Sequence, residues 1–259
     1  MQILTPYISK EYLALRINYC KQQLAALPEV VMTKRIIRGK PVDVLLTDSH
    51  CYRAGSEAGK DLLNACIFRE ELLCDLSKFE GLWHSSFRGE PPSDIEPRKI
   101  IRSFQGANNE TIIMNGKFFD SLRNEANTYH PEHKTWFYNG SYYRSSAERD
   151  IARFYTEQGI PFKYEPEIRI AGLPYAIYSD FVILIKELDL CKFHEHFGMM
   201  NSANYVRDAQ TRCSNYSQAG LIPDFDVICT YNFSNMPFDT RTLHAKLNQV
   251  VYDTLLMPA

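Results

Sequence analysis

The chain has 259 residues, 45% hydrophobic and 23% charged, with a formal charge of -2 at neutral pH. That length holds one large domain or two small ones, each with a real hydrophobic core. The near-neutral balance excludes a global basic field, so nucleic-acid binding would have to rest on local patches.

Seven cysteines, at positions 20, 51, 66, 74, 191, 213 and 229, are scattered and form no Cys-x-x-Cys pair. An odd, dispersed set points to a reduced intracellular protein rather than a disulfide framework or structural zinc site. Residues 1–10 lack the apolar core of a signal peptide. No apolar run approaches the roughly 18 residues of a membrane span. The expectation is a cytoplasmic protein with no membrane partner.

In chain order, Thr5-Pro6 is a helix start, threonine as cap and proline in the first turn. Ile8, Tyr12, Leu15 and Tyr19 follow at helical spacing, up to Leu27-Pro28. This stripe reads first as an intramolecular core face and second as a seam for a homodimer. Residues 30–47 read as two strands around Arg38-Gly39-Lys40-Pro41, a hairpin. A second helix is predicted over residues 56–79, with Ser56 as its cap. Residues 88–97 hold three prolines and a glycine and read as a linker. The predicted organisation is an N-terminal helix-rich domain (1–99), a connecting segment (100–135) and a C-terminal domain (136–259). In the connector, His130 and His133 could ligate a metal. With no further ligand recognised nearby, a polar loop around Pro131 is the favoured reading.

After Gly140 the pattern becomes regular. Residues 145–159 form a predicted helix ending on glycine. Residues 162–170, 175–185 and 191–197 read as strands, 201–216 as a helix, 227–231 as a strand and 240–256 as a closing helix. Helix, three strands, helix, strand, helix is a mixed α/β domain with a small central sheet.

Glu148, three residues after Ser145, fits a capping box. It also shares a helical face with Ile151, Ala152 and Tyr155, and an inward carboxylate needs a partner. Asp180 alternates with Val182 and Leu184, and Glu195 with Phe193 and Phe197. If residues 186–189 close an antiparallel hairpin, Asp180 lies directly opposite Glu195. Their β-carbons would then be roughly 5 Å apart on one face. Two like charges there are unfavourable unless a cation lies between them, and a hard divalent ion accepts such ligands. A pair of solvated strand residues, or a different register, are the alternatives.

Four segments carry a family likeness: Tyr-Arg-Ser-Ser-Ala-Glu (143–148), Gly-Ile-Pro-Phe-Lys-Tyr-Glu (159–165), Ser-Asp-Phe (179–181) and His-Glu-His-Phe-Gly-Met-Met (194–200). In order and spacing they resemble the PD-(D/E)XK nuclease superfamily, nearest a bacterial branch whose third strand ends in Glu-His-(Leu/Phe)-Gly. The likeness spans residues 136–256. It implies a restriction-endonuclease-like core behind the N-terminal arm. It also implies Mg²⁺ or Mn²⁺ as cofactor, nucleic acid as partner with DNA ranked ahead of RNA, and phosphodiester hydrolysis.

Carried over, the resemblance makes Glu148, Asp180, Glu195 and Arg212 the catalytic set. Asp180, Glu195, the His196 carbonyl and Glu148 are then the metal ligands. Ser179 stands where the family has proline. Phe197 stands where the motif lysine is usual, and Arg212, on one helical face with Tyr205 and Tyr216, occupies the later lysine position of this branch. Arginine keeps the charge and can clamp a phosphate, but cannot act as a neutral base. Lys163 and Lys192 are alternative cations, Lys192 facing away from Glu195 in a regular strand. His194 and His196 likewise alternate away from Glu195, as sheet residues under a helix or as a second polar cluster. The competing expectation is a catalytically impaired module that keeps the fold and binds nucleic acid or a protein.

Overall fold

A computed structural model describes residues 9–93, 95, 100–233, 235 and 237–256, with side chains described up to residue 250. The chain divides into two compact units, Met1–Glu96 and Pro97–Ala259.

In the first unit, α1 (Lys10–Ala26) is capped by Ser9, whose Oγ accepts the Tyr12 N–H at 3.1 Å. The predicted start at Thr5-Pro6, and Ile8, lie outside the described residues. Tyr12 and Leu15 are buried in this unit's core, with Leu13, Ile17, Leu72 and Phe79. β1 (Val31–Ile37) and β2 (Lys40–Leu46) pair with Ile37 opposite Lys40. The two-residue turn, Arg38-Gly39, has both residues at positive φ, the tight turn that suits strand twist. β3 (Cys51–Arg53) completes a three-stranded sheet.

α2 (Glu57–Ser86) is longer than the predicted 56–79. Its apolar contacts continue through Trp83, fully buried with Nε1 donating to the Gly89 carbonyl at 2.7 Å. Gly59, in its first turn, is packed so closely that a β-carbon would lie 1.9 Å from the Arg53 carbonyl oxygen. No other residue fits there without a shift.

The second unit is mixed α/β. The expected connector, 100–135, is part of its core rather than a link. It forms β4 (Ser103–Gln105), β5 (Thr111–Ile113) and α3 (Gly116–Ser121). Phe104, Met114, Phe119 and Leu122 pack in one cluster with Val182, Phe193, Phe197 and Tyr216. Elements of three to six residues are too short for periodicity to reveal them. β6 (Trp136–Tyr138) and β7 (Ser141–Tyr143) form a hairpin before α4 (Ser146–Gln158). Gly159, at φ 65°, ends α4 in the left-handed conformation that glycine favours.

The two long strands predicted next are each interrupted. β8 (Phe162–Tyr164) and β9 (Glu167–Ile168) are separated at Glu165, which has φ 44°. β10 (Ile177–Tyr178) and β11 (Phe181–Ile185) are separated at Ser179-Asp180. The breaks face each other, the Glu165 N–H donating to the Asp180 carbonyl at 3.0 Å. β12 (Leu190–Phe197), α5 (Ala203–Gln218), β13 (Val227–Tyr231) and α6 (Thr240–Leu256) follow. The central sheet has order β13-β12-β11-β8, antiparallel except for the parallel β12/β13 pair. All eight β12 residues are buried. Among the described residues, no helix is long and apolar enough to cross a membrane.

Candidate active site

α4 presents an apolar stripe to the sheet. Ile151, Ala152 and Tyr155 are fully buried, and burying such a side chain stabilises by about 1.5–3 kcal/mol. Glu148 shares that face. The cap is present, since Ser145 Oγ accepts the Glu148 N–H at 3.1 Å. The carboxylate, however, does not close the box on the Ser145 N–H. It accepts from the Arg144 N–H (3.2 Å), the Tyr164 hydroxyl (2.6 Å) and the Ser145 hydroxyl (2.9 Å). Burial pushes its pKa up, against the Tyr164, Ser145 and Arg144 hydrogen bonds, and Glu165 pushes the same way as burial.

Asp180 lies in the break just before β11, and Glu195 lies on the neighbouring strand β12. Phe181 pairs with His194 and Val182 with Phe193, so one further step sets Asp180 across from Glu195. At that step side chains take over the strand ladder. Ser179 Oγ donates to the His194 carbonyl (3.3 Å), and Asp180 Oδ2 accepts the His196 N–H (2.7 Å). Glu195 is 1% exposed, with Oε1 accepting from the Tyr216 hydroxyl (2.6 Å) and Oε2 from Arg212 Nη1 (3.1 Å). Burial, then Glu195, then Glu148 drive the Asp180 pKa well above the carboxylate range. Glu195 is also pushed up by burial, with Arg212 and Tyr216 opposing.

Arg212 is the cation that reaches the pair. Its side chain is 52% exposed, while Nη1 is bound to buried Glu195. Lys192 instead donates to the Phe225 carbonyl at 2.7 Å, and the Lys163 ammonium lies 5.2 Å from the Phe119 ring centroid. The imidazoles turn to the opposite face, as alternation requires. His194 Nδ1 lies 2.7 Å from the Tyr155 hydroxyl. His194 Nε2 and His196 Nδ1 both meet Thr230 Oγ1, at 2.8 and 2.9 Å. Burial holds both histidines neutral, His196 pushed down to about 4.

The three carboxylates and Arg212 line one open groove of about 550 Å³ with Tyr205 and Tyr216. Sequence reasoning left several of its organising residues without a role. Tyr164 orients Glu148. Buried Glu165 binds Arg144 (2.5 Å), Lys134 (2.7 Å) and Asn127 (2.9 Å). Arg144 also donates to the Tyr129 and His130 carbonyls. Tyr164 and Glu165 lie within the segment 159–165 that carries the family likeness, which was the available signal.

His130 and His133 do have a third neighbour. Glu132 approaches His130 Nδ1 at 3.1 Å, and one ligand atom from each of the three lies within 4.8 Å of the others. The premise of the polar-loop reading, no further ligand nearby, does not hold. This exposed trio is the only such group among the described residues, so Glu148, Asp180 and Glu195 do not converge that closely.

Chemically, the groove combines buried negative charge, one solvent-facing guanidinium and hydroxyls that orient the carboxylates. No family model matches the chain, and no curated protein and no solved structure matches it either.

Proposed function

We propose that the second unit is a Mg²⁺- or Mn²⁺-dependent nuclease with a restriction-endonuclease-like core, hydrolysing phosphodiester bonds of DNA. The observation that carries this is the Asp180/Glu195 pair, Asp180 one step beyond the paired residues of β11 and Glu195 on β12, lining one groove with Glu148, with both pKa values pushed up. Buried like charges of this kind are costly in the free protein, and functional sites are where such cost is met.

The donors fit a hard divalent ion, being carboxylate oxygens with excess negative charge that Arg212 offsets in part. Mg²⁺ is held by one or two carboxylates and keeps several waters, so all three groups need not converge. Asp180 and Glu195 would hold the ion, with the His196 carbonyl and Glu148 completing its surroundings. Bound there, the ion would supply charge stabilisation to the phosphate and acidify water.

The chain's own groups do the rest. Arg212 faces solvent and would clamp a phosphate oxygen whose charge grows in the transition state. Arginine cannot take a proton, so Glu148, whose pKa burial pushes up, is the group to accept one from the attacking water. Tyr164 and Tyr216 keep Glu148 and Glu195 aimed into the groove.

A second reading is a binding module without turnover. It draws on both Glu195 oxygens being engaged by Tyr216 and Arg212. Incubation of the full chain with Mg²⁺ or Mn²⁺ and labelled DNA and RNA separates the two. Cleavage is expected to vanish in Asp180→Ala/Glu195→Ala; cleavage that persists there eliminates this mechanism.

A further inference from the structure

We propose that the groove takes an unpaired nucleic-acid strand rather than a duplex, with Tyr129 and Tyr175 as base-stacking platforms on its rim. This deepens, and rests on, the nucleic-acid reading of the same groove.

Three observations carry it. First, charge: the groove is lined by two arginines, Arg144 and Arg212, against five carboxylates. Arg144 is engaged by Glu165 and two main-chain carbonyls, and Arg212 by Glu195. Duplex binding draws most of its affinity from many Lys and Arg contacts to two phosphate rails. Arg144 has every guanidinium nitrogen engaged, and Arg212 alone keeps a solvent-facing side, which serves one phosphate of a single strand and not two rails.

Second, aromatic faces stand at its edge. Tyr129 is 66% exposed and Tyr175 54% exposed, and both line the groove with the carboxylates. The Tyr178 ring meets Tyr129 in a T-shaped contact with centroids 6.2 Å apart, and Tyr129 stays largely exposed beside it. Exposed tyrosines beside a polar cleft suit unpaired bases, whose faces are hidden in a duplex.

Third, the rim is built rather than incidental. The Tyr129 N–H donates to Asn127 Oδ1 at 3.0 Å, and Asn127 Nδ2 donates to buried Glu165 at 2.9 Å. Arg144 Nη2 donates to the Tyr129 carbonyl at 2.6 Å, while its own main-chain N–H binds Glu148. One residue thus ties the platform to the carboxylate. A base on Tyr129 would therefore rest on a rim segment anchored to the carboxylates of the groove that Arg212 also lines.

The test is anisotropy with a labelled 20-nucleotide DNA, its duplex and the RNA of the same sequence, in Ca²⁺ with the full chain. Either single strand is expected to bind at least tenfold more tightly than the duplex, the DNA and RNA arms identifying the sugar. Tyr129→Leu and Tyr175→Leu are each expected to weaken the single strand by about tenfold. Tyr129→Phe and Tyr175→Phe, which keep the ring, are expected to retain binding. Tyr142→Leu, an equally exposed aromatic outside the groove, serves as control and leaves binding unchanged. Equal or tighter duplex binding overturns the proposal, as does a single-strand preference indifferent to both leucine variants. Duplex cleavage dependent on Asp180 would sink this proposal while sparing the nuclease reading. Tyrosine-dependent strand binding with no cleavage in Mg²⁺ or Mn²⁺ would do the reverse.

Discussion

Asp180 is held where its charge is least welcome: buried, across from Glu195 and near Glu148. Asp180→Asn keeps the shape and removes that repulsion. The metal-free protein is expected to gain about 1 kcal/mol, as relieving a strained functional site commonly does, while cleavage is lost. Urea unfolding checks the first outcome, and a less stable variant would mean the carboxylate is structural. At Arg212 the roles are reversed, because the guanidinium both offsets Glu195 and faces solvent. Arg212→Ala is expected to lower turnover about 10²-fold, the size of losing one preorganised donor. Arg212→Lys should restore part of it, since charge returns without the fork. Steady-state cleavage rates of the two variants decide whether Arg212 contributes to turnover.

Among elements, the interruptions matter more than the strands. β8/β9 breaks at Glu165 and β10/β11 at Ser179-Asp180, and the side chains freed by those breaks build the groove's floor. Ser179, where the family likeness has proline, has its hydroxyl within hydrogen-bond reach of the Phe181 carbonyl (2.9 Å) and the His194 carbonyl (3.3 Å), while Asp180 takes up the His196 N–H beyond the end of the ladder. Glu165 in turn pins Arg144 and Lys134. Glu165→Ala would strand two cations beside a buried position and is expected to cost about 3 kcal/mol. Because Arg144 carries the 129–130 segment and touches Glu148, cleavage should fall as well. Unfolding curves and rates are measured together, and a change below about 0.5 kcal/mol would show that this cluster is a solvated surface network.

At the scale of the whole molecule, two sets of buried groups give opposite pH dependences. The carboxyl pKa values are raised on folding, so their stabilising contribution is full at low pH and fades as pH rises past the ordinary carboxylate range. His194 and His196 are depressed, His196 to about 4, so their contribution is full above the ordinary histidine value of 6.5 and is lost as pH falls toward 4. A divalent ion relieves only the carboxylates. The Tm increment from Mg²⁺ or Mn²⁺ is therefore expected to grow between pH 5 and 8. An increment that is flat with pH would argue against the carboxylates as its site. Each unit has its own core, so residues 97–259 are expected to fold alone with the groove intact, a point that circular dichroism of the fragment checks.

Much of this was legible in one dimension. The Arg38-Gly39 turn, the Ser56 cap, the Glu148 helix face and the Asp180/Glu195 register follow from local rules: φ preference, capping, and periods of 3.6 and 2. A hairpin is short enough for its turn to set which residues face each other. The role of 100–135 was not legible, because elements of three to six residues carry no period. Nor was the union of Tyr164, Glu165, Arg144 and Asn127, which lie up to 38 positions apart. Alternation by itself turned Lys192 away from Glu195, but only tertiary structure decided that Arg212 on α5, rather than Lys163, meets that carboxylate. How a helix docks on a sheet, and so which of its side chains reaches a strand residue, depends on packing that sequence spacing does not encode.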